Sequence, residues 1–235
     1  MKTPLCPVVV LGASPRGCGF AAAAPGALVL EQEIVAAPQW TLTFDPGRDW
    51  DKAAPRTSWG RELLDELRSR KALRRSALDN AAFAPVFTRQ VLTRELRLAL
   101  DSRVLAVEGN VVRYADGEGI HAVEAEKIID TRPRFTEKKW FTALIRTPSP
   151  AAAGTYGSFE LVPRDPDLAA LLLPLDPATD WPAARRIFRE SWRDRPETLR
   201  DAVVLLTAVR FAARAFTDPV TELEQGIREA QDENV

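Results

Sequence analysis

The sequence predicts an α/β protein with a parallel sheet, a small antiparallel meander attached to it, and a smaller α+β lobe after it. Three observations predict this. The apolar run Val8 to Leu11 ends in Gly12, as a strand buried on both faces of a parallel sheet does. A small-residue stretch from Pro15 to Ala24 and a second apolar run, Ala27 to Leu30, follow and stop at Glu31. That is the strand, turn, helix, turn, strand order of a βαβ unit. From Val104 onward the hydrophobic period shortens to two, with Gly109-Asn110 between Val104–Val107 and Val111–Tyr114, which reads as a hairpin.

Taken in order, residues 36–58 mix tryptophan, proline and glycine with little periodicity, an irregular excursion with one short strand near Thr41–Phe44. Excursions of that length usually serve or cover something. Ser58 to Arg70 reads as a helix with Leu63, Leu64 and Leu67 on one face, and Val86 to Leu100 as a second, with Val91, Leu92, Leu96 and Leu100 in register. After the hairpin, a third meander strand covers Gly119–Glu124, and a last parallel strand runs Lys127–Thr131. The second lobe has strands at Phe141–Ile145, Phe159–Val162 and Leu168–Leu175, and a helix opened by Asp180 and Pro182 that continues to Trp192. Leu199, Ala202, Val203, Leu206, Ala213 and Phe216 fall on one helical face, and Asp218-Pro219 starts a final amphipathic helix. The division predicted is 1–133 for a dinucleotide-binding-like domain and 134–235 for a small substrate or cap-like lobe.

Composition narrows the function classes. A net charge of −1, with acids and bases mixed along 235 residues, gives no basic face for nucleic acid. Only six of the 32 basic residues are lysine; the arginine excess suits phosphate forks and equally suits a codon bias. The first apolar run is too short for a signal peptide and no stretch approaches the roughly 20 residues that span a bilayer, so the reading is a cytoplasmic protein. Cys6 and Cys18, without a histidine cluster, read as reduced thiols. Cys18 sits near a helix N-terminus, which lowers a thiol pKa, but the position also calls for a small side chain packed on the sheet.

The string carrying chemistry is Gly12-Ala13-Ser14-Pro15-Arg16-Gly17, with Glu31 nineteen residues after Gly12. A dinucleotide turn uses its first glycine for the tight turn, its second so that backbone approaches the pyrophosphate, and its third for helix–sheet packing. Ser14 stands at the second position, so a hydroxymethyl group intrudes there, while the helix N-terminus still offers free N–H groups and a positive dipole end. Glu31 lies where an acid accepts from ribose hydroxyls. Arg16 either pairs with a pyrophosphate oxygen or faces solvent.

Val9 to Glu31 resembles the opening of FAD-dependent oxidoreductases. Thr41–Phe44, Gly60–Leu64 and Lys127–Thr131 resemble later landmarks of one branch of that family, so the resemblance covers roughly residues 7–131. It implies a Rossmann-like lobe with Gly12, Ser14 and Gly17 at the pyrophosphate, Glu31 at the ribose, and Val104 meeting adenine through its backbone. FAD is the implied cofactor and a small molecule the implied substrate. The departures are equally specific. Ala36-Ala37-Pro38 stands where the branch has paired glycines, the strand-ending Ala-Thr-Gly is Asp130-Thr131-Arg132-Pro133, and no glycine-aspartate motif occurs near the C-terminus. The sequence therefore implies an FAD-dependent-oxidoreductase-like protein binding FAD or an adenine nucleotide, a non-catalytic relative that lost the flavin, or a shortened family member. It leaves the catalytic residues and oligomeric state open. His121, the single histidine, reads as an ordinary strand side chain, and Trp181 and Trp192 as anchors of the second lobe's core.

Overall fold

The computed structural model describes residues 4–74, 76–136 and 138–233. In chain order its elements are β1 (Leu5–Leu11), α1 (Pro15–Ala23), β2 (Leu28–Leu30), α2 (Pro38–Thr41), α3 (Ser58–Ser69), the short hairpin β3 (Leu73–Arg74) and β4 (Ala77–Leu78), and α4 (Asn80–Thr93). Then come β5 (Arg97–Ala99), β6 (Arg103–Glu108), β7 (Val111–Asp116), β8 (Gly119–Asp130), β9 (Lys139–Arg146), β10 (Gly154–Tyr156), β11 (Phe159–Asp165), β12 (Leu168–Leu175), α5 (Trp181–Arg193), β13 (Val203–Thr207) and α6 (Pro219–Asp232).

The first sheet has the order β5-β2-β1-β8-β7-β6. Strands β5, β2, β1 and the second half of β8 run parallel, and β6, β7 and the first half of β8 form the antiparallel meander. The continuous apolar run of β1 has a simple cause: it is buried on both faces. Val8 and Val10 enter the cluster under α1, α3, α4 and α6, while Val9 and Leu11 enter a second cluster with Val112, Val123 and Ala125 of the meander. The second sheet, β10-β11-β12-β9-β13, is antiparallel. One face carries α5, whose Phe188 packs among Phe141, Phe159 and Trp192, with Trp181 against Phe141. The end of β11 reaches the first lobe through the Arg164–Asp79 and Arg74–Asp165 ion pairs.

Several expected elements differ. Thr41–Phe44 is not a strand: Pro38 opens α2 there, and the Thr43 hydroxyl turns back to the Gln39 carbonyl at 2.6 Å. The helix expected over 86–100 begins at Asn80, capped by Asp79, and ends at Thr93; Glu95 is left-handed at φ 53° and Arg97–Ala99 become a strand beside β2. The alternation of Leu96, Leu98 and Leu100 fits that strand as well as it fits a helix. The two strands expected at 119–124 and 127–131 are one, β8, which changes partner from β7 to β1 at Glu124. The face drawn from Leu199 to Phe216 is not helical: Val203–Thr207 joins the second sheet's edge, and Arg214 is left-handed at φ 52°.

The final helix returns to the first lobe. Val220, Leu223, Ile227 and Ala230 belong to the cluster under β1 and α1. α6 and α1 touch almost backbone to backbone. A Cβ on Gly226 would lie 1.9 Å from the Arg16 carbonyl oxygen, and one on Gly19 2.4 Å from that of Leu223. Gly226→Ala is therefore expected to lower stability by about 1–3 kcal/mol or more, the cost of overpacking. Gly154→Ala, whose added carbon meets only the Tyr156 ring at 3.8 Å, should stay within about 0.5 kcal/mol. Urea midpoints of the two variants check this, and equal midpoints would contradict a backbone-tight seam.

Candidate functional site

The turn between β1 and α1 is built by its own residues. Gly12 adopts φ 98° and donates its N–H to the Leu30 carbonyl at 2.8 Å. Ser14 is the N-cap of α1: its hydroxyl accepts from Gly17 N–H at 3.1 Å, and Pro15 follows at the first helical position. A Cβ on Gly17 would lie 2.2 Å from the Gly12 carbonyl oxygen and 2.5 Å from Thr131 Oγ1. Gly17 therefore serves helix–sheet packing. Thr131, at the end of β8, donates its hydroxyl to the Gly12 and Leu11 carbonyls and locks the turn from beneath. The Arg132 side chain, ion-paired with Asp130, lies over Gly12, where an added Cβ would meet its Cγ at 3.0 Å.

Glu31 is buried at the end of β2. Its Oε2 accepts from Ala13 N–H at 2.8 Å and its Oε1 from Glu33 N–H at 2.9 Å. Burial pushes its pKa up, against the pull of those two backbone donors. The acid and the glycine turn are thus one hydrogen-bonded unit. Arg16 Nε pairs with Glu229 Oε2 of α6 at 2.7 Å. Val104 lies in β6 beside Tyr114, two residues after Ser102, whose N–H donates to the Glu31 carbonyl at 2.8 Å. The structure therefore gathers Gly12, Ser14, Arg16, Gly17 and Glu31 around one turn, with Val104 on the neighbouring meander.

Beyond the turn lies a cavity of about 420 Å³ at the C-terminal ends of β1 and β8, walled also by α2, the segment 213–216 and the start of α6. Its walls include Ser14, Gln39, Trp40, Asp45, Arg132, Arg214, Phe216 and Glu222. That is where open α/β sheets place ligands, and the volume is that of a small-molecule site. Two groups here were not legible in the sequence. Arg214 pairs with Glu160 at 2.6 Å and lies 3.5 Å from Asp45, both Arg214 and Asp45 having side chains almost wholly buried. Burial pushes the Asp45 pKa up while Arg214 draws it down. Glu222, in the first turns of α6, is 6% exposed and accepts from Trp40 Nε1 at 2.6 Å. The Ser14 hydroxyl and the Arg16 backbone N–H also face it, and burial outweighs all three donors, raising its pKa to about 7. Only the Asp218-Pro219 helix start hinted at this placement, because N-terminal residues of a helix face whatever the helix is aimed at.

Other nominated groups have ordinary surroundings. Cys18 is fully buried, its Sγ 3.7 Å from the Ala13 carbonyl, and burial pushes its thiol far up, which excludes the activated thiolate. His121 bonds Asp116 at 2.9 Å and stacks on Tyr114. Trp181 and Trp192 pack in the second lobe's aromatic cluster. Among the described residues no group of histidine, cysteine and acidic side chains is disposed to hold a metal ion, and no helix is long and apolar enough to cross a membrane.

No family model matches the sequence, and no curated protein matches it by sequence. The fold matches solved structures. One is the myxobacterial chondrochloren halogenase CndH, described as a new variant of FAD-dependent halogenases, with TM-score 0.62 and 16% identity over 97% of this chain and 72% of that one. Another is the p-nitrophenol 4-monooxygenase PnpA of Pseudomonas putida, with TM-score 0.58 and 14% identity over 98% and 78%. A third is the anhydrotetracycline hydroxylase OxyS of Streptomyces rimosus, with TM-score 0.58 and 13% identity over 87% of this chain and 51% of that one, so the chain spans about half its length. The chain has an FAD-dependent-oxidoreductase-like fold.

The two buried groups give predictions. Arg214→Met should cost about 3–5 kcal/mol, because it leaves Asp45 buried without its cation; a loss below 1 kcal/mol in urea unfolding would deny the pair its role. For Glu222 the folded-state pKa stands above its ordinary 4.5 at about 7. Its stabilisation is then complete below about pH 4.5 and is lost as pH rises to about 7, on the order of 3 kcal/mol. The difference in unfolding free energy between the parent and Glu222→Gln should follow that window, and a flat difference would contradict the burial of the carboxyl.

Proposed function

We propose that the protein binds FAD or an adenine nucleotide at the β1–α1 turn, as an FAD-dependent-oxidoreductase-like protein. The observation that carries this reading is the union of Glu31 with the glycine turn through Ala13 N–H, at the mouth of a helix and at the C-terminal edge of a parallel sheet. In this reading Glu31 accepts from the ribose hydroxyls. Two of its roughly four lone-pair positions are used by Ala13 and Glu33, and the rest are free to accept. Gly12, Ser14, Arg16 and Gly17 form the phosphate-side turn, and the Val104 backbone lies towards adenine. The adenylate end of such a cofactor fits these residues. Its diphosphate fits less well, since the Glu222 carboxylate lines the cavity beside Ser14 and Arg16 at the helix mouth. Bound flavin would supply the electron transfer, and the chain's part is to bind and orient. The substrate would be a small molecule in the cavity beyond the turn.

A second reading, a module that kept the fold and lost the flavin, is favoured by the placement of Glu222. An absorbance spectrum after incubation with excess FAD and desalting separates the two. Retained flavin bands support the first reading, and a colourless protein the second. With a nucleotide bound, Glu31→Ala should weaken ADP binding by about 1–3 kcal/mol, the scale of hydrogen bonds to a charged group; unchanged affinity would remove Glu31 from the site.

A further inference from the structure

Among the titratable groups around the cavity, one carboxylate is placed where a ligand's anion belongs. Trp40 Nε1 donates to Glu222 at 2.6 Å, and Ser14 and Arg16 share the cavity wall with the carboxylate. Those two residues stand at the start of α1, whose N–H groups a helix N-terminus offers to a phosphate. Glu222 has no ion-pair partner among the described residues, and Arg16 is committed to Glu229. A carboxylate held by the Trp40 indole on the cavity wall that Ser14 and Arg16 share lies where an oxyanion ligand of the helix mouth would lie. The placement is rigid. α6 is fixed against α1 by the contacts at Gly226 and Gly19, so the backbone of Glu222 cannot withdraw without parting the seam.

We propose that Glu222 is a gate on the nucleotide site: its carboxylate occupies the mouth of α1 where the diphosphate of an adenine nucleotide would lie, and the anion enters only when that carboxylate is neutral or turned away. This rests on the nucleotide reading of the turn. While Glu222 is charged, a diphosphate brought to the helix mouth meets a like charge in a site shielded from water, where repulsion is strong. Once it is protonated, the repulsion is gone and the carboxyl itself becomes a donor.

Burial also raises the pKa of Glu31 and Asp45, which are held by the Ala13 and Glu33 N–H groups and by Arg214, and comparison with Glu222→Gln separates their titration from that of Glu222. From α1, Arg16 is paired with Glu229, and burial keeps the Cys18 thiol neutral. Across the cavity Asp45 is paired with Arg214 and Arg132 with Asp130, and on its own helix Asp218 is engaged as the cap. Burial brings Glu222 to about 7, so the gate works within the neutral range: open below it, closed above.

The test is calorimetric titration of the full chain with ADP at pH 6 and pH 8.5, for the parent and Glu222→Gln. If the neutral form alone is competent, the parent's affinity scales with its fraction. The parent should then weaken about tenfold or more between the two conditions relative to Glu222→Gln, and ionisation of ADP itself cancels in that comparison. Trp40→Phe removes a donor to the charged form, so its loss of binding should move to higher pH; this serves if Glu222→Gln fails to fold, as judged by circular dichroism. Equal pH dependence in parent and Glu222→Gln, with measurable binding, would overturn the gate and leave the nucleotide reading standing. Absence of ADP binding by both proteins at pH 6 would overturn the nucleotide reading and the gate together.

Discussion

The seam between α1 and α6 is the constraint on which the rest depends. Helices whose backbones meet through glycine have no side chains to repack, so the distance and register between them are fixed by hard contact. Gly226 against the Arg16 carbonyl and Gly19 against the Leu223 carbonyl set that register, and the Arg16–Glu229 pair sits on its solvent side. Everything placed by α6 is thereby placed relative to the glycine turn. That is how residues 218–232, distant in sequence, come to decide what α1's N-terminus faces.

From this follows the character of the site. The turn itself satisfies its polar groups internally: Ser14 caps Gly17, Thr131 holds the Gly12 carbonyl and Glu31 holds Ala13. The excursion over residues 36–58 closes the cavity from above. Ala37 N–H binds the Ala13 carbonyl, and Asn80 gathers the Trp40 and Asp45 carbonyls. It brings the Trp40 indole to Glu222 and Asp45 to Arg214, so the irregular segment is ordered by buried polar bonds rather than by periodicity.

Local signals in the sequence carried the β1–α1–β2 unit, the meander and the helices at 58–70 and 219–232, because each has its own hydrophobic period and cap. The partition between strand and helix failed where two periods coincide. Leu96-Arg97-Leu98 alternates with period two, while its leucines also continue a helical stripe from Val91, and only pairing with β2 decides. Val203–Thr207 is likewise a strand because β9 offers it an edge. Gly12, Ser14, Arg16, Gly17 and Glu31 were found because they lie within one supersecondary unit. Glu222, Trp40 and Arg214 were not, since their meaning arises from contacts across 182 positions and more than one sheet. No spacing rule expresses a carboxylate delivered to a helix mouth by another helix.

The gate requires a titrating Glu222 carboxyl at the mouth of α1 under the Trp40 indole. Its most direct test is the indole N–H resonance of Trp40, assigned by its loss in Trp40→Phe and followed by NMR between pH 5 and 9. One titration centred near pH 7 is expected, absent in Glu222→Gln. A Trp40 indole resonance that is flat across this range, or that titrates equally without the carboxyl, would contradict it.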